Sequence, residues 1–368
     1  MDRLSVPGST RQRLTLGALL ALVAAAAVGL LLNRGGTEPP LAVTTTTSTS
    51  TTAAPTTTTT VPVVVAPLTG LPGISADRRT RPAVVVKLDN VEPKARPQWG
   101  LNEADVVYEE RVEGSVTRLL AIFHSADAAP VGPVRSARTS DIALFSALHH
   151  PYFVWSGANP TFAARVRAAA MFDAGYDARS DAYFREGSRP APDNLLLKGT
   201  GDLAAIPNPG SAPPPALFGY RAKGKPVAHL EAVGGAAVNF GSMAGAAPTE
   251  WRWNGSGWAR TQNGTPHVDV AGVQVAPANV VIQFVTYAPT DVTDQFGVAI
   301  PEAQLVGEGE VWVLTGGNGS PAGLVQGRWQ KPAVDAVTTY TDVDGKPILL
   351  TPGRTWVVLP SPGGASRL

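Results

Sequence analysis

The stretch AVVVKL at residues 83–88 follows Pro82 and is apolar at every position but one. A short apolar run of this kind predicts a buried strand. Two further strands are predicted over residues 105–111 and 116–124, with a hairpin turn at Glu113-Gly114 between them. These three strands open the folded part of the chain.

Two helices and a fourth strand are predicted next. Apolar residues recur at helical spacing over residues 136–150, and a short strand is predicted over 152–155. A second helix is predicted from Asn159-Pro160 to about residue 172, with Asn as the cap and Pro at the first position. This order of strands and helices predicts a mixed α/β domain over residues 67–225.

The rest of the chain predicts strands with few helices. Short alternating runs and turn pairs predict a β-rich domain, a barrel or a sandwich, over residues 226–368. The expected fold class is therefore α+β, a mixed α/β domain followed by a β-rich domain. Six of the eight tryptophans lie in this second part and are interpreted as its core. Trp251 and Trp253 share a strand face and are the best candidates for an exposed pair.

The N-terminal residues predict a membrane anchor. Residues 1–13 are a basic cytoplasmic tail, and residues 14–32 form an apolar transmembrane helix that would reach about 28 Å. Residues 33–66 form a Thr-rich linker that is too polar to fold. We expect a single-pass cell-membrane protein with its C-terminal part outside the cytoplasm. A cleaved signal peptide is the alternative, and it would export the same part.

The composition excludes several classes of function. The chain has no cysteine, which excludes disulfides, thiol nucleophiles, Cys-ligated zinc and lipid attachment through cysteine. Basic and acidic residues nearly balance, at 30 and 29, and they form no basic stripe, so no nucleic-acid partner is expected. Serine-hydrolase, P-loop and dinucleotide-binding motifs are not found.

Polar residues gather at the ends of the predicted strands and in the loop after Gly132-Pro133. The candidates for ligand binding are Asp89, Asn90, Asp105, Glu109, Glu113, Arg118, Arg135, Ser136 and Arg138. In a functional interpretation, Arg135 and Arg138 bind a carboxylate or phosphate, and the acidic residues bind a metal, act as a base or orient the arginines. In a structural interpretation, the same residues form internal ion pairs between the hairpin and the helix, which is the commoner fate of partly buried charge.

The sequence assigns no catalytic residue, no cofactor and no metal ligand set. Asp342-Val343-Asp344-Gly345 is similar to the start of a calcium loop but lacks the later Glu, so a hairpin turn is preferred. His267 and Asp269 share a strand face, and a loop edge is the expected setting for them.

Several motifs together resemble the YerB-like family of bacterial envelope proteins. They are PLTG (67–70), RPAVVVKLDN (81–90), ARPQWGL (95–101), ADVVYE (104–109), VEG (112–114), TRLLA (117–121), GPVRSAR (132–138) and RPAPDNL (189–195). The resemblance covers nearly all of residues 67–360. It implies an envelope location and this architecture, and it supplies no established activity. Members of that family usually carry a lipid-attachment cysteine, where this chain has an apolar span.

Three hypotheses for function follow. The first is an envelope protein that binds an anionic or glycan ligand near the cell wall. The second is a metal-assisted transferase or hydrolase that acts on phosphate-containing wall precursors, since a carboxylate beside a hairpin followed by an arginine is similar in layout to the LytR-CpsA-Psr glycopolymer transferases. The third is an envelope scaffold, which predicts a large exposed apolar patch.

Overall fold

The computed structural model describes residues 63–241, 248–294 and 296–368. The predicted cytoplasmic tail, the predicted transmembrane helix and most of the predicted linker lie outside the described residues. Within those residues, no helix is both long enough and apolar enough to cross a membrane.

Most of the regular structure is strand. Within the described residues, the strands are β1 (Val84–Asp89), β2 (Val106–Arg111), β3 (Thr117–Phe123), β4 (Tyr152–Val154), β5 (Phe172–Asp173), β6 (Tyr183–Arg185), β7 (Leu195–Leu197), β8 (Gly219–Tyr220), β9 (Gly235–Val238), β10 (Thr249–Trp253), β11 (Trp258–Gln262), β12 (Thr265–Pro266), β13 (Asn279–Gln283), β14 (Tyr287–Thr293), β15 (Ala299–Ala303), β16 (Gly307–Gly317), β17 (Ser320–Lys331), β18 (Thr339–Asp342), β19 (Leu349–Leu350), β20 (Thr355–Leu359) and β21 (Ala365–Arg367).

The helices are short. The α-helices of the described residues are α1 (Ala76–Thr80), α2 (Ser140–Phe145), α3 (Pro160–Arg167) and α4 (Thr200–Ala204). Single 3-10 turns cover Leu101–Glu103, Glu113–Ser115, Ser146–Leu148 and Ser180–Ala182.

A ten-stranded sheet forms the centre of the fold, with the strand order β18-β17-β16-β13-β20-β2-β3-β1-β4-β5. Strand β2 pairs antiparallel with β3 and parallel with β20, so that Val106 lies opposite Thr355. Among the described residues, the segments 67–225 and 226–368 supply five strands each to this sheet. The predicted boundary at residue 225 therefore does not coincide with a break in the sheet.

Both faces of this sheet are buried. On the face that we call the helix face, Val85 and Leu120 pack with Phe145 of α2. On the opposite face, which we call the second-sheet face, Leu119 packs with Trp251 of β10. Because successive strand side chains alternate between faces, each strand contributes to both cores. This double burial explains why β1 is apolar almost throughout.

The second sheet has five strands in the order β12-β11-β10-β9-β21, and it covers part of the central sheet. The strands of residues 226–368 are thus divided among the central sheet, the second sheet, the β14–β15 pair and the β8–β19 pair. The central sheet and the β8–β19 pair also contain strands of residues 67–225, which corrects the expectation of a separate barrel or sandwich. The predicted exposed pair of tryptophans is wrong, because Trp251 is fully buried, and its ring packs tilted against that of Trp356 with the ring centres 5.3 Å apart. Trp253 is half-buried against Trp258. The core interpretation is confirmed for Trp251, Trp258, Trp329 and Trp356.

The helix predicted over residues 136–150 begins later and ends earlier. Residues before α2 are extended because they pair with β1: Val134 bridges to Leu88, and the Arg135 amide donates to the Lys87 carbonyl at 2.8 Å. Tertiary pairing therefore overrides local helix preference there. At the far end, His149 adopts a left-handed conformation with φ of 58° and ends the helical segment.

The second predicted helix is confirmed as α3. Asn159 caps it by accepting a hydrogen bond from the Thr161 amide at 3.0 Å, and Pro160 occupies its first turn. The helix ends at Arg167, short of the predicted residue 172.

Candidate functional site

The candidate residues lie mainly at one edge of the central sheet. Strands β1, β2, β4 and β20 run parallel and end at this edge, whereas β3 begins there. We call it the carboxyl edge. Asp89 ends β1 and lies opposite Arg118 of β3, which in turn lies opposite Glu110 of β2. The ends of parallel strands are the usual place for a ligand site in such sheets.

Three arginines converge on the helix face at this edge, and we call Arg118, Arg135 and Arg138 the arginine group. Arg138 makes a two-point ion pair with Glu113, with its Nε 2.9 Å from Oε2 and its Nη2 bonded to Oε1. The Arg118 Nη2 lies 3.7 Å from the Glu113 Oε1. The Arg118 Nη1 donates to the Ser136 carbonyl at 2.8 Å. These contacts therefore connect the β2–β3 hairpin to the loop that precedes α2.

The ion pairs of the arginine group join three guanidinium groups to two carboxylates, those of Asp89 and Glu113. A third carboxyl, that of Asp193, lies beside them. Burial, and after it the nearby charge of Arg138, lower the pKa of Arg118 to about 10. Burial alone would raise the pKa of Glu113, but the hydrogen bond and charge of Arg138 lower it.

Arg135 is the most accessible member of the arginine group. Its Nε donates to the Asp89 Oδ2 at 2.6 Å, and its side chain is 26% exposed, whereas that of Asp89 is 1% exposed. Asp193 lies beside this pair. Burial, and after it the charge of Asp89, raise the pKa of Asp193, while Arg135 and Lys94 oppose that shift. Asp193 is thus a carboxyl that takes up a proton more readily than usual as the pH falls.

A fully buried charged cluster underlies the arginine group. The Lys87 Nζ contacts carboxylate oxygens of Glu110 and Asp141, the latter at 2.6 Å, and all three side chains are at most 1% exposed. Asp141 also accepts from the Arg138 amide at 2.7 Å. Burial raises the pKa of Glu110, with Lys87 opposing the rise and Asp141 adding to it. This cluster fixes the backbone that carries Arg138.

A second polar network, on the second-sheet face, is centred on Glu109. Its Oε1 accepts from the Arg260 Nη2 at 2.7 Å, and its Oε2 accepts from the Trp356 Nε1 at 3.0 Å. Asn90 and Thr117 donate to the same carboxylate at 3.2 Å and 2.9 Å. Because Glu109 and Arg260 are 1% and 0% exposed, this is a buried ion pair between the two sheets.

His267 extends this network. Its Nδ1 accepts from the Arg260 Nη1 at 2.6 Å, so its Nε2 carries the proton and donates to the Gln98 Oε1 at 2.7 Å. Burial, then the charges of Arg260 and Arg96, hold the pKa of His267 well below its usual value. The side chain is 1% exposed, so the expected loop-edge setting is wrong for His267.

The structure brings most of the predicted residues together. The helix face of the carboxyl edge holds six of them: Asp89, Glu113, Arg118, Arg135, Ser136 and Arg138. Two more, Asn90 and Glu109, belong to the Glu109 network on the second-sheet face. Asp105 is the exception, because it precedes β2 at the opposite end, where its carboxylate accepts from the His124 and Ser125 amides at 2.8 Å and 2.7 Å.

The candidate set from the sequence did not include Lys87, Glu110, Asp141 or Arg260, and His267 was considered only as a residue of a loop edge. Lys87 had a signal, since it is the one charged residue in the run at residues 83–88. Arg260 had none, because 151 positions separate it from Glu109.

One further group has ligand atoms at metal-binding distances. Within the described residues, His229, Asp342 and Asp344 place a ligand atom each within 4.8 Å of one another. The His229 Nε2 lies 2.9 Å from the Asp344 Oδ2 and 3.8 Å from the Asp342 Oδ2. Two of these residues come from the turn that the sequence predicted, and none belongs to the carboxyl edge.

The chain matches two family models. "Protein of unknown function (DUF3048) N-terminal domain" matches residues 68–209, and "Protein of unknown function (DUF3048) C-terminal domain" matches residues 236–357. The chain therefore belongs to the DUF3048 family, which is the YerB-like family that its motifs resembled.

A curated relative and a solved structure agree with this assignment. "Putative lipoprotein YerB" of Bacillus subtilis (strain 168) is 40% identical over 130 residues, which are 35% of this chain and 38% of that protein. The match thus spans well under half of the relative's length. The crystal structure of YerB protein from Bacillus subtilis superposes with a TM-score of 0.69 at 26% identity, over 83% of this chain and 99% of that chain. This similarity confirms a mixed α/β fold made mostly of strands.

Proposed function

We propose that this chain is a membrane-anchored envelope protein that binds an anionic ligand, carrying a phosphate or a carboxylate, at the arginine group. The observation that carries the proposal is the convergence of three guanidinium groups on the helix face, where Arg135 is partly exposed and uses only its Nε in an ion pair. An anion at this point gains charge-assisted hydrogen bonds from the terminal nitrogens of Arg135.

The accessibility of Arg135 supports this site. Arg118 and Arg138 are occupied with Glu113 and with backbone carbonyls. Arg135 uses its Nε for Asp89 and is partly exposed, so its terminal nitrogens are the natural first contact for an anion. Guanidinium groups suit phosphate and carboxylate because two parallel N–H groups match two oxygens.

The location rests on two lines of support. Residues 14–32 form an apolar segment with basic residues before it. The matched Bacillus subtilis protein carries the name of a lipoprotein, a class of protein held at a membrane. We therefore place residues 63–368 outside the cytoplasm, where phosphate-containing and carboxylate-containing wall glycans are the available anions.

The test is calorimetric titration of the full-length chain with a sugar phosphate, a muropeptide and inorganic phosphate. Arg135→Gln removes the accessible charge and should weaken binding by about tenfold or more, since hydrogen bonds to charged groups contribute about 1.5–3 kcal/mol. Arg135→Lys should lie between this variant and the unmodified chain, because it keeps the charge but loses the fork.

The matched control is Arg328→Gln. Arg328 of β17 also pairs with a carboxylate, that of Glu308 of β16 at 2.9 Å, but the two side chains are 61% and 60% exposed. Circular dichroism of each variant checks that the fold is intact. Binding that is equal in Arg135→Gln and Arg328→Gln, or no binding of any probe by the folded chain, would overturn the proposal.

A further inference from the structure

A second candidate site lies in a cavity away from the carboxyl edge. The parallel pairing of β8 with β19 brings Arg221 beside Leu350, whose carbonyl accepts from the Arg221 amide at 2.9 Å. The cavity next to it has a volume of about 170 Å³. By this measure one water molecule needs about 10–15 Å³, so the space admits a small organic molecule. Its lining includes Arg221, Lys225, Val325, Asp342, Ile348 and Leu349.

Arg221 is a buried cation that has no acidic partner. Arg221 is only 3% exposed, and among the described residues no carboxylate lies within 4.0 Å of its guanidinium. Its terminal nitrogens donate to neutral oxygens instead, including the Lys225 carbonyl at 2.9 Å and the Thr351 hydroxyl at 2.8 Å. Its Nε finds no hydrogen-bond partner in the described part of the chain.

This arrangement leaves a positive charge uncompensated at the cavity wall. Arginine keeps its proton even when it is buried, so the charge must be balanced from outside the side chain. Burial lowers the pKa of Arg221, in keeping with the missing counterion. Lys225, which is exposed, adds a second positive charge to the lining. A carboxylate in the cavity would pair with Lys225 and compensate the charge of Arg221, whose terminal N–H groups stay on the neutral oxygens that already accept from them.

Negative charge at the same cavity selects against a simple anion. Asp342 also lines the cavity, and its Oδ1 is used by the Asp344 and Lys346 amides at 3.0 Å and 2.9 Å. Its Oδ2 faces the His229 Nε2 at 3.8 Å, too far for a hydrogen bond. That oxygen can therefore accept a hydrogen bond from an ammonium group. A ligand that carries both charges suits the cavity better than an anion alone.

The remaining walls are apolar. Val325 and Ile348 are buried, at 1% and 7% exposure, and Leu349 lies at the rim with 44% exposure. Aliphatic side chains with a few placed polar groups are typical of small-molecule sites. We propose that this cavity binds a small zwitterion with an aliphatic side chain, with its carboxylate at Lys225, near the charge of Arg221, and its ammonium at Asp342. A free aliphatic α-amino acid is the simplest molecule of this class.

The experiment is calorimetric titration of the full-length chain with L-leucine and three analogues. Leucinamide lacks the carboxylate, 4-methylpentanoate lacks the ammonium, and glycine lacks the side chain. Leucine should bind saturably, and each analogue should bind about tenfold more weakly or worse. Absence of saturable leucine binding overturns the proposal, as does equal binding of leucinamide or of 4-methylpentanoate.

Three variants test whether leucine binds in this cavity. Leu349→Trp places a bulky ring in the cavity mouth without replacing a buried side chain, and it should abolish leucine binding. Asp342→Asn should weaken binding of leucine but not of 4-methylpentanoate. Arg221→Gln is a riskier change, because Arg221 also holds backbone carbonyls, so it is interpreted only if its circular dichroism matches the unmodified chain. Unchanged leucine binding in Leu349→Trp contradicts the proposal.

The two proposals can fail separately. Arg135→Gln lies at the carboxyl edge and should leave leucine binding unchanged, while Leu349→Trp should leave binding of the sugar phosphate unchanged. Loss of leucine binding in Arg135→Gln would show that the leucine signal does not come from this cavity.

Discussion

The buried ion pair between Glu109 and Arg260 offers the sharpest test of how the two sheets are held together. Glu109→Gln keeps the size of the side chain and removes its charge, leaving the Arg260 guanidinium in the core without a counterion. Removing one partner of a buried ion pair lowers the free energy of unfolding by about 3–5 kcal/mol, because the remaining charge is buried away from water and has no counterion. For a domain of about 300 residues the unfolding midpoint should fall by roughly 5–8 °C, because the unfolding entropy is about 2.1 cal/mol/K per residue.

The assay is urea unfolding of the full-length chain, followed by circular dichroism. Glu109→Gln should lower the denaturation midpoint with little change in its slope, since the surface exposed on unfolding is the same. Glu109→Gln combined with Arg260→Met removes both charges, and its cost should be at least about 2 kcal/mol less than the sum of the single costs. That difference measures the coupling between the sheets.

An exposed pair provides the control. Glu308→Gln disrupts the pair with Arg328 on β17 and should cost at most about 1 kcal/mol. The reasoning is refuted if Glu109→Gln costs no more than Glu308→Gln. It is also refuted if the single costs of Glu109→Gln and Arg260→Met simply add, because the pair would then contribute nothing as a pair.

Three further predictions follow from the buried titratable groups. Lys87→Met should cost about 3–5 kcal/mol in urea unfolding, because it strands two buried carboxylates, whereas Glu110→Gln should cost about 1 kcal/mol or less, because it leaves Lys87 with Asp141. Equal costs would contradict this account of the cluster. The pKa of His267 is well below 6.5 in the folded chain, so below about pH 6.5 only the unfolded chain binds that proton, and stability falls by at most about 1.4 kcal/mol per pH unit. His267→Gln should flatten that fall in unfolding curves between about pH 7 and 5. Because protonation of Asp193 removes negative charge beside Arg135, anion binding should strengthen as the pH falls, and Asp193→Asn should weaken that pH dependence in titrations.

The sequence predicted those parts of the fold whose signals are local. Strands β1 to β3 and the cap of α3 follow from apolar runs, turn residues and an Asn-Pro pair that lie within a few positions of one another. The proximity of the candidate residues of the hairpin and of the loop after residue 133 could be predicted for the same reason, since strand ends and the loops beside them meet at one end of such a sheet. Asp105 was assigned wrongly to this set, because it begins a strand that carries the site at its other end.

The rest of the fold depends on contacts between distant residues. Nothing near residue 136 in the sequence indicates that residues 134 and 135 pair with β1 or that the Ala137 amide donates to the Gly157 carbonyl, so the predicted helix began too early. The sequence predicted an exposed position for Trp251 and a loop edge for His267. The second sheet instead packs Trp251 against Trp356, and His267 donates a hydrogen bond to Gln98. A period of two identifies which side chains share a face, but it does not say whether water or another sheet covers that face.

Strand β2 links the two matched domains into one folding unit. Its neighbours are β3 from the first part of the chain and β20 from the last, and Glu109 reaches across to Trp356 and Arg260. Without residues 226–368, β2 would be an open edge with an apolar face and an unpaired buried carboxylate. The pairing of β2 with β3 also places Glu110 opposite Arg118. The geometry of the arginine group therefore depends on the C-terminal part of the chain, although none of its own residues comes from there.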